Sequence, residues 1–398
     1  MFKFLSVFLP VVHASFETEF TKAAELGDEA TLQKMIIAGE TDIEQVNSRG
    51  LNALFLATSK GHKKCVEVLI QAKANINWKS RSNHIPLKQA MFNHDQDIVS
   101  LLLEARADID WIFNDDGTFI YHAVDRGYTD LVRELVSYNA EVNIVTKNGS
   151  TPLLIAVERE RLDVVNVLLR ARAQIDKKNI HGRTGLMEAC LKRNFDIVDL
   201  MLKSGADVAL LSNNGETALT YASINGHTRV VEELIKYKSD LNILTKRGFS
   251  ALYLATMRGH LEVVKVFLKA NVDPNQFNEG KDTALIRSVV QNNVEISLLL
   301  INAKANVNQM SDYGLSALKI AARERFSDLV NILVFYDADT SKFLHSELVQ
   351  SAIENKAAAK IAANIISSVL TFVQPLPVGN SGDVFEIVKD TVEGLCPI

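Results

Sequence analysis

Cysteine is scarce in this sequence: Cys65, Cys190 and Cys396 are the only three in 398 residues. So few, scattered so widely, cannot close a disulfide framework, and their spacing fits no zinc pattern. Cys65 and Cys190 fall inside helical patterns, where a buried free thiol acts as a small hydrophobe. Proline is sparse as well, at 7 residues, and aromatic residues make up only 7%. Neither a proline-rich linker protein nor a large all-β core fits that. There is also no excess of positive charge. A net charge of −5 and a pI near 6.0 lack the basic footprint that phosphate binding needs, so nucleic acid is not an expected partner.

Signatures of chemistry are missing too. The chain has no phosphate-cradling glycine loop, nucleophile elbow, paired acid/base motif or metal-binding histidine motif. Its nine histidines mostly occupy repeated positions, and His62, His227 and His260 share one. No enzymatic activity, cofactor or metal is therefore expected. What remains, 47% hydrophobic and 23% charged, is the composition of a soluble folded protein. Length alone would suggest two or three globular domains.

A repeat overrides that expectation. The only two tryptophans, Trp78 and Trp111, stand 33 positions apart. Stepping by 33 from Ala57 gives Ala90, Ala123, Ala156, Ala189, Ala222, Ala255, Ser288 and Ala321. Three positions earlier run Leu54, Leu87, Ile120, Leu153, Leu186, Leu219, Leu252, Leu285 and Leu318. A second apolar series runs Val66, Val99, Val132, Val165, Val198, Val231 and Val264, then Ser297 and Val330. Within one unit, "GFSALYLATMRGHLEVVKVFLKANVDPNQFNE", the pattern is helix, turn, helix, extended tip. Ser250 can cap the first helix, Leu252 and Ala255 share a face, and Gly259 breaks the pattern before it resumes. One such unit cannot bury its own apolar faces, and stacked units can.

These features resemble the ankyrin repeat family, whose period is about 33 and whose first helix opens with Thr-Pro-Leu-His-x-Ala. "STPLLIA" at 150–156 carries Thr151, Pro152, Leu153 and Ala156, and Gly-His pairs stand at 61–62, 226–227 and 259–260. An earlier unit places Ala24 in the alanine slot. The expected fold is therefore an all-α repeat solenoid, an ankyrin array of about ten repeats with a helical C-terminal cap. Its boundaries are an apolar segment over 1–16, repeats over 17–340, capping helices over 341–373 and a tail over 374–398. The resemblance also implies a non-enzymatic protein-binding role.

Two departures from the family pattern matter. The histidine slot holds Phe55, Lys88, Tyr121, Leu154, Met187, Thr220, Tyr253, Ile286 and Lys319, so the family's usual hydrogen-bond network is absent. The glycine that normally ends the second helix appears only as Gly205. Elsewhere that slot holds Lys73, Arg106, Asn139, Arg172, Lys238, Asn271 and Lys304. A non-glycine residue at positive φ is strained, by about 1 kcal/mol, so the array should be less stable than a consensus one.

The tips suggest where a partner binds. Both tryptophans fall in tips. Trp78 shares its side of the extended segment with Ile76, which favours inward packing, while tryptophan's enrichment at binding hot spots favours exposed anchors, Trp78, Trp111 and Ile112 among them. The slot after them holds Lys79, Ile112, Val145, Lys178, Leu211, Leu244, Phe277 and Met310, six of eight apolar. The family resemblance places it on the concave face. A second concave series, from the ends of the first helices, includes Asp125, Glu158, Leu191, Ile224, Met257 and Val290. Together, Leu191, Leu211, Ile224, Leu244, Met257, Phe277, Val290 and Met310 outline an apolar groove across repeats six to nine that would accept a partner helix or extended peptide. The alternative is that curvature or the C-terminal segment covers the stripe. The charged run Asp125, Arg126, Glu158 and Arg159 reads as a solvated face.

The ends of the chain allow two readings each. "MFKFLSVFLPVVHAS" has the order of a short secretory signal, cleaved after Ala14, or of an apolar cap on the first repeat. The corresponding localisations are secreted and cytoplasmic, and the second is the principal expectation. Helical spacing through Leu348, Ala352, Ile361, Ile365 and Val369 indicates capping helices, with a membrane-binding helix the weaker alternative. Cys396 does not meet the prenylation pattern. The expected partner is a protein or peptide bound by a monomer, and a translocated factor that binds a host protein is the second class considered.

Overall fold

The computed structural model describes residues 19–39, 41–113, 117–343 and 346–356. The expectations placed on residues 1–14, on Ile361, Ile365 and Val369, and on the tail with Cys396 lie outside those residues.

Each repeat is a pair of antiparallel helices followed by an extended tip, an all-α repeat solenoid. The first helices open where a short polar side chain can satisfy a free backbone donor. Asn52 accepts from the Phe55 N–H, Thr151 from Leu154, Thr184 from Met187, Thr217 from Thr220, and Ser250 from Tyr253. Such caps contribute about 1 kcal/mol each. In repeat three a proline, Pro86, takes the first helical position after Ile85, which makes no side-chain cap. The alanine slot is where neighbouring helices approach, and Ala57, Ala90, Ala123, Ala156, Ala189, Ala222 and Ala255 are all fully buried. The valine series is buried beside it.

The chain divides into two compact units after Val272. Among the described residues, the first unit holds eight helix pairs, from the helix over 19–26 paired with Glu29–Ala38 to Ala251–Met257 paired with Leu261–Lys269. The second unit holds two pairs, Ala284–Val290 with Val294–Asn302 and Ala317–Glu324 with Ser327–Phe335, followed by a helix over 347–356. On that last helix Val349 and Ala352 are buried, and Lys356 Nζ reaches Asp337 Oδ1 at 2.7 Å. The second unit also explains two oddities of the repeat. Ser288 and Ser297 depart from alanine and valine together, because their hydroxyls lie 2.7 Å apart and hydrogen-bond, one donating to the other, while the other's proton goes to a helix carbonyl, Leu285 O or Asn293 O.

Repeats within the first unit are fastened by polar side chains that cross from one to the next. His62 donates to the Glu25 carbonyl at 3.0 Å, His227 to Cys190 at 2.8 Å, and His260 to Ile224 at 2.9 Å. The glycine before the histidine makes room for the next repeat's ring: a Cβ on Gly226 would lie 2.5 Å from His260. Along the tips a second ladder forms. Asn77, Asp110 and Asn143 each accept, through Oδ1, from a backbone N–H 31 residues later.

The first repeat corrects one detail of the sequence reading. Gly27 stands against His62 as Gly226 stands against His260, and Asp28 caps the second helix. Its helices are therefore offset by 34 rather than 33, and Ala23, not Ala24, occupies the alanine slot. The shift leaves Glu19 and Thr31 at positions that are buried and mostly apolar in later repeats. A terminal repeat needs such a polar outer face.

The second helices end as the departures implied. Lys73, Arg106, Asn139, Arg172, Lys238, Asn271 and Lys304 all adopt φ between 57 and 67°. Each is a non-glycine residue in the left-handed region that closes a helix.

Candidate partner-binding surface

The tips are held by short backbone turns, and this fixes where their side chains stand. At the sixth tip Gly215 N–H donates to Ser212 O, and Ser212 N–H to Glu216 O at 2.8 Å. At the seventh, Gly248 N–H donates to Thr245 O in the same way, while Lys246 N–H reaches back to Asn214 O at 2.9 Å. In every tip the residue before this turn faces out. Leu211 is 42% and Leu244 44% exposed in the first unit. Leu191, Ile224 and Met257, which end the first helices of repeats six, seven and eight, are half-buried in the same unit. In the second unit Phe277, Val290 and Met310 are exposed. The groove read from sequence as one strip thus has members on both units: five in the first and three in the second.

The tryptophans rest against their surroundings. Trp78 packs at 6.0 Å and a tilted angle on Phe55, and Lys79 Nζ lies 4.5 Å over the ring of Trp111. Both rings are half-buried, while Ile112 is exposed. Next to them Lys88 lies over Phe113 and Arg126 over Phe92, at 4.9 and 4.6 Å.

A polar cluster beside the apolar stripe escaped the sequence reading. Glu188 is 3% exposed in a slot that holds Leu56, Ile155, Leu254 and Ile320 in other repeats. Arg183 Nε donates to Glu188 Oε1 at 2.6 Å, and Asn179 Nδ2 donates to the same oxygen at 2.9 Å. One repeat on, the Tyr221 hydroxyl donates to Glu216 Oε2 at 2.6 Å. Burial works against the Arg183 charge, yet the Glu188 carboxylate and its hydrogen bond outweigh it and hold the guanidinium protonated. The available signal was a pair of oppositely charged residues five apart, Arg183 and Glu188, the second in a slot that is apolar in only some of the repeats.

The charged run Asp125, Arg126, Glu158 and Arg159 separates into unlike parts. Arg159 pairs with Asp125 at 2.9 Å on the surface, an interaction of small energetic weight. Glu158 is half-buried and, among the described residues, has no cation within ion-pair distance. Burial first, and then the like charge of Glu188, raise its carboxyl above the ordinary 4.5, against the pull of Lys192, Arg183 and Arg159. The folded chain therefore holds this proton more tightly than the unfolded chain does. The group's contribution to stability is complete below pH 4.5 and is lost as the pH rises through the raised folded value. Glu158→Gln should consequently raise the Tm at pH 7 by on the order of 1–3 °C, as a sub-kilocalorie change does in a chain of this size, and by much less at pH 4. Thermal melts at the two pH values check this, and an equal shift at both would contradict it.

Cys65 and Cys190 are buried free thiols, pushed up by burial away from the reactive thiolate. Among the described residues no group of three or more His, Cys, Asp or Glu side chains could hold a metal ion, and no helix is long and apolar enough to cross a membrane.

A family model of ankyrin repeats matches residues 20–112, 109–179, 186–278 and 270–343. The chain belongs to the ankyrin repeat family. Ankyrin repeats generally mediate protein–protein interaction, and the family is typically a non-enzymatic module. The chain is also similar to ankyrin repeat domain-containing protein 13B of Mus musculus and of Homo sapiens, 39% identical to each over 68 residues. That stretch is 17% of this chain, and the match spans only 11% of the length of either curated relative.

Proposed function

We propose that this protein is a non-enzymatic scaffold that binds a protein or peptide partner on the concave face of its ankyrin repeats, centred on repeats six to eight of the first unit. The observation that carries this is the exposure of Leu211 and Leu244 at two successive tips, in register with the half-buried Leu191, Ile224 and Met257. A solvated edge would carry polar residues at tip positions that no neighbour covers. Repeated apolar exposure of this kind marks an interaction surface. Phe277, Val290 and Met310 offer the second unit a surface of the same chemistry.

A random 16-residue peptide library displayed on phage, panned against the full chain, tests the proposal. The selected peptides should lose at least about 30-fold in affinity on the Leu211→Asp/Leu244→Asp variant, as hot-spot loss implies. Both positions are exposed, so the variant should keep its helical content. Peptides that bind it as tightly as the parent protein would place the binding surface elsewhere.

A further inference from the structure

Resting on that proposed function, the first unit specifies more of the partner than its apolar character. Glu158 occupies in repeat five the slot that Leu191 and Ile224 occupy in repeats six and seven, so carboxylate and apolar side chains stand in one row. The first helices of these repeats pack on one another in succession, which sets neighbouring members of the row about 8–10 Å apart. The neighbouring acids are satisfied within the protein: Asp125 by Arg159, Glu188 by Arg183 and Asn179, Glu216 by Tyr221 and Ser212. Glu158 alone in the row offers a half-buried carboxylate with no counter-ion of its own, at the edge of an apolar surface. Desolvating that edge under an uncharged partner would leave the carboxylate buried without compensation, while a cation from the partner would compensate it.

We infer that the partner presents one lysine or arginine to Glu158, followed by apolar side chains that seat on Leu191 and Ile224 between the tips of Leu211 and Leu244. The row spacing fixes the pattern. A segment in the polyproline II conformation advances about 3.1 Å per residue with three residues per turn, so every third residue faces successive members of the row. A helix advances about 1.5 Å and meets them every seventh.

The panned peptides provide the test. Their sequences should share a single Lys or Arg placed three or seven residues from the first of two apolar residues at that same spacing. By fluorescence anisotropy, replacing that cation with serine should weaken binding to the parent protein roughly tenfold, as a close interfacial charge pair does, and change binding to Glu158→Gln less than twofold. A peptide with glutamate in its place should bind Glu158→Lys better than the parent protein. Glu158→Gln removes a charge the fold disfavours, so its loss of discrimination cannot come from unfolding. Selected peptides without a cation, peptides carrying an acid there instead, or a cation whose effect is the same on Glu158→Gln would each overturn this inference. The broader proposal would still stand if Leu211→Asp/Leu244→Asp abolished binding, and indifference to both sets of substitutions would overturn the two together.

Discussion

Arg183→Ala should lower the Tm by roughly 5–10 °C, and Glu188→Leu added to it should restore the loss. The single substitution removes the guanidinium 2.6 Å from a carboxylate that is 3% exposed. Breaking a buried pair on one side costs about 3–5 kcal/mol, because the charge left behind stays desolvated. Arg183 keeps a quarter of its side-chain surface, so about 2–3 kcal/mol is the appropriate scale, and a chain of this size shifts by about 2–4 °C per kcal/mol. Leucine at 188 reproduces what other repeats already do in that slot, at Leu56 and Leu254. Replacing both partners of a buried pair by apolar groups is often neutral or stabilising. Circular-dichroism melts of the two variants decide the matter. An unchanged Tm in the single variant, or a double variant less stable than the single, would contradict the assignment.

The second expected result is a gain. Lys73→Gly, Arg106→Gly, Arg172→Gly and Lys238→Gly, combined in the first unit, should raise the Tm by roughly 5–12 °C. Those four residues sit at φ of 65, 64, 62 and 59°, where the side chain crowds its own backbone. Glycine already takes this position at Gly205, with φ 86°, and, given the offset of 34 in the first repeat, at Gly39, with φ 69°. Each replacement should contribute about 0.5–1 kcal/mol after glycine's greater freedom in the unfolded chain is discounted. The sites lie at least one repeat apart and share no partner, so the gains should add. Asn139 and Asn271 are left in place because asparagine tolerates the left-handed region better. The parent protein, carrying all this strain, should melt well below 90 °C, the threshold of hyperstability. A set of four that melts no higher than the parent would remove strain at the helix ends as a cause.

Most of the fold was legible because a period of 33 repeats the same physical problem, and each solution to it confirms the others. The alanine and leucine slots fixed helix positions, and the missing glycines forecast positive φ at seven residues that the structure then placed there. The one-residue offset of the first repeat was not legible. Ala23 and Ala24 are adjacent and both buried, so either could fill the slot until Gly27 was seen against His62. Ser288 and Ser297 looked like separate losses of apolar character, because their partnership is a contact across nine residues of sequence. The exposure of Leu211 and Leu244 agrees with the tip pattern. The charge run was read as a solvated face, and nothing in the sequence separates the paired Asp125 from Glu158, which is set apart by its burial and by Glu188 in the next repeat. The slot of Glu188 also holds Gln89, His122 and Arg287, so the sequence alone did not single out the buried carboxylate or its partner five residues earlier.

Hydrogen–deuterium exchange of the full chain, with and without a panned peptide, tests the central claim most directly. Binding on the concave face of the first unit predicts added protection at the tips over 207–217 and 240–250 and at the ends of the first helices near Leu191 and Ile224. Added protection confined to the second helices, Phe195–Lys203 and Thr228–Lys236, with the tips unchanged, would contradict it.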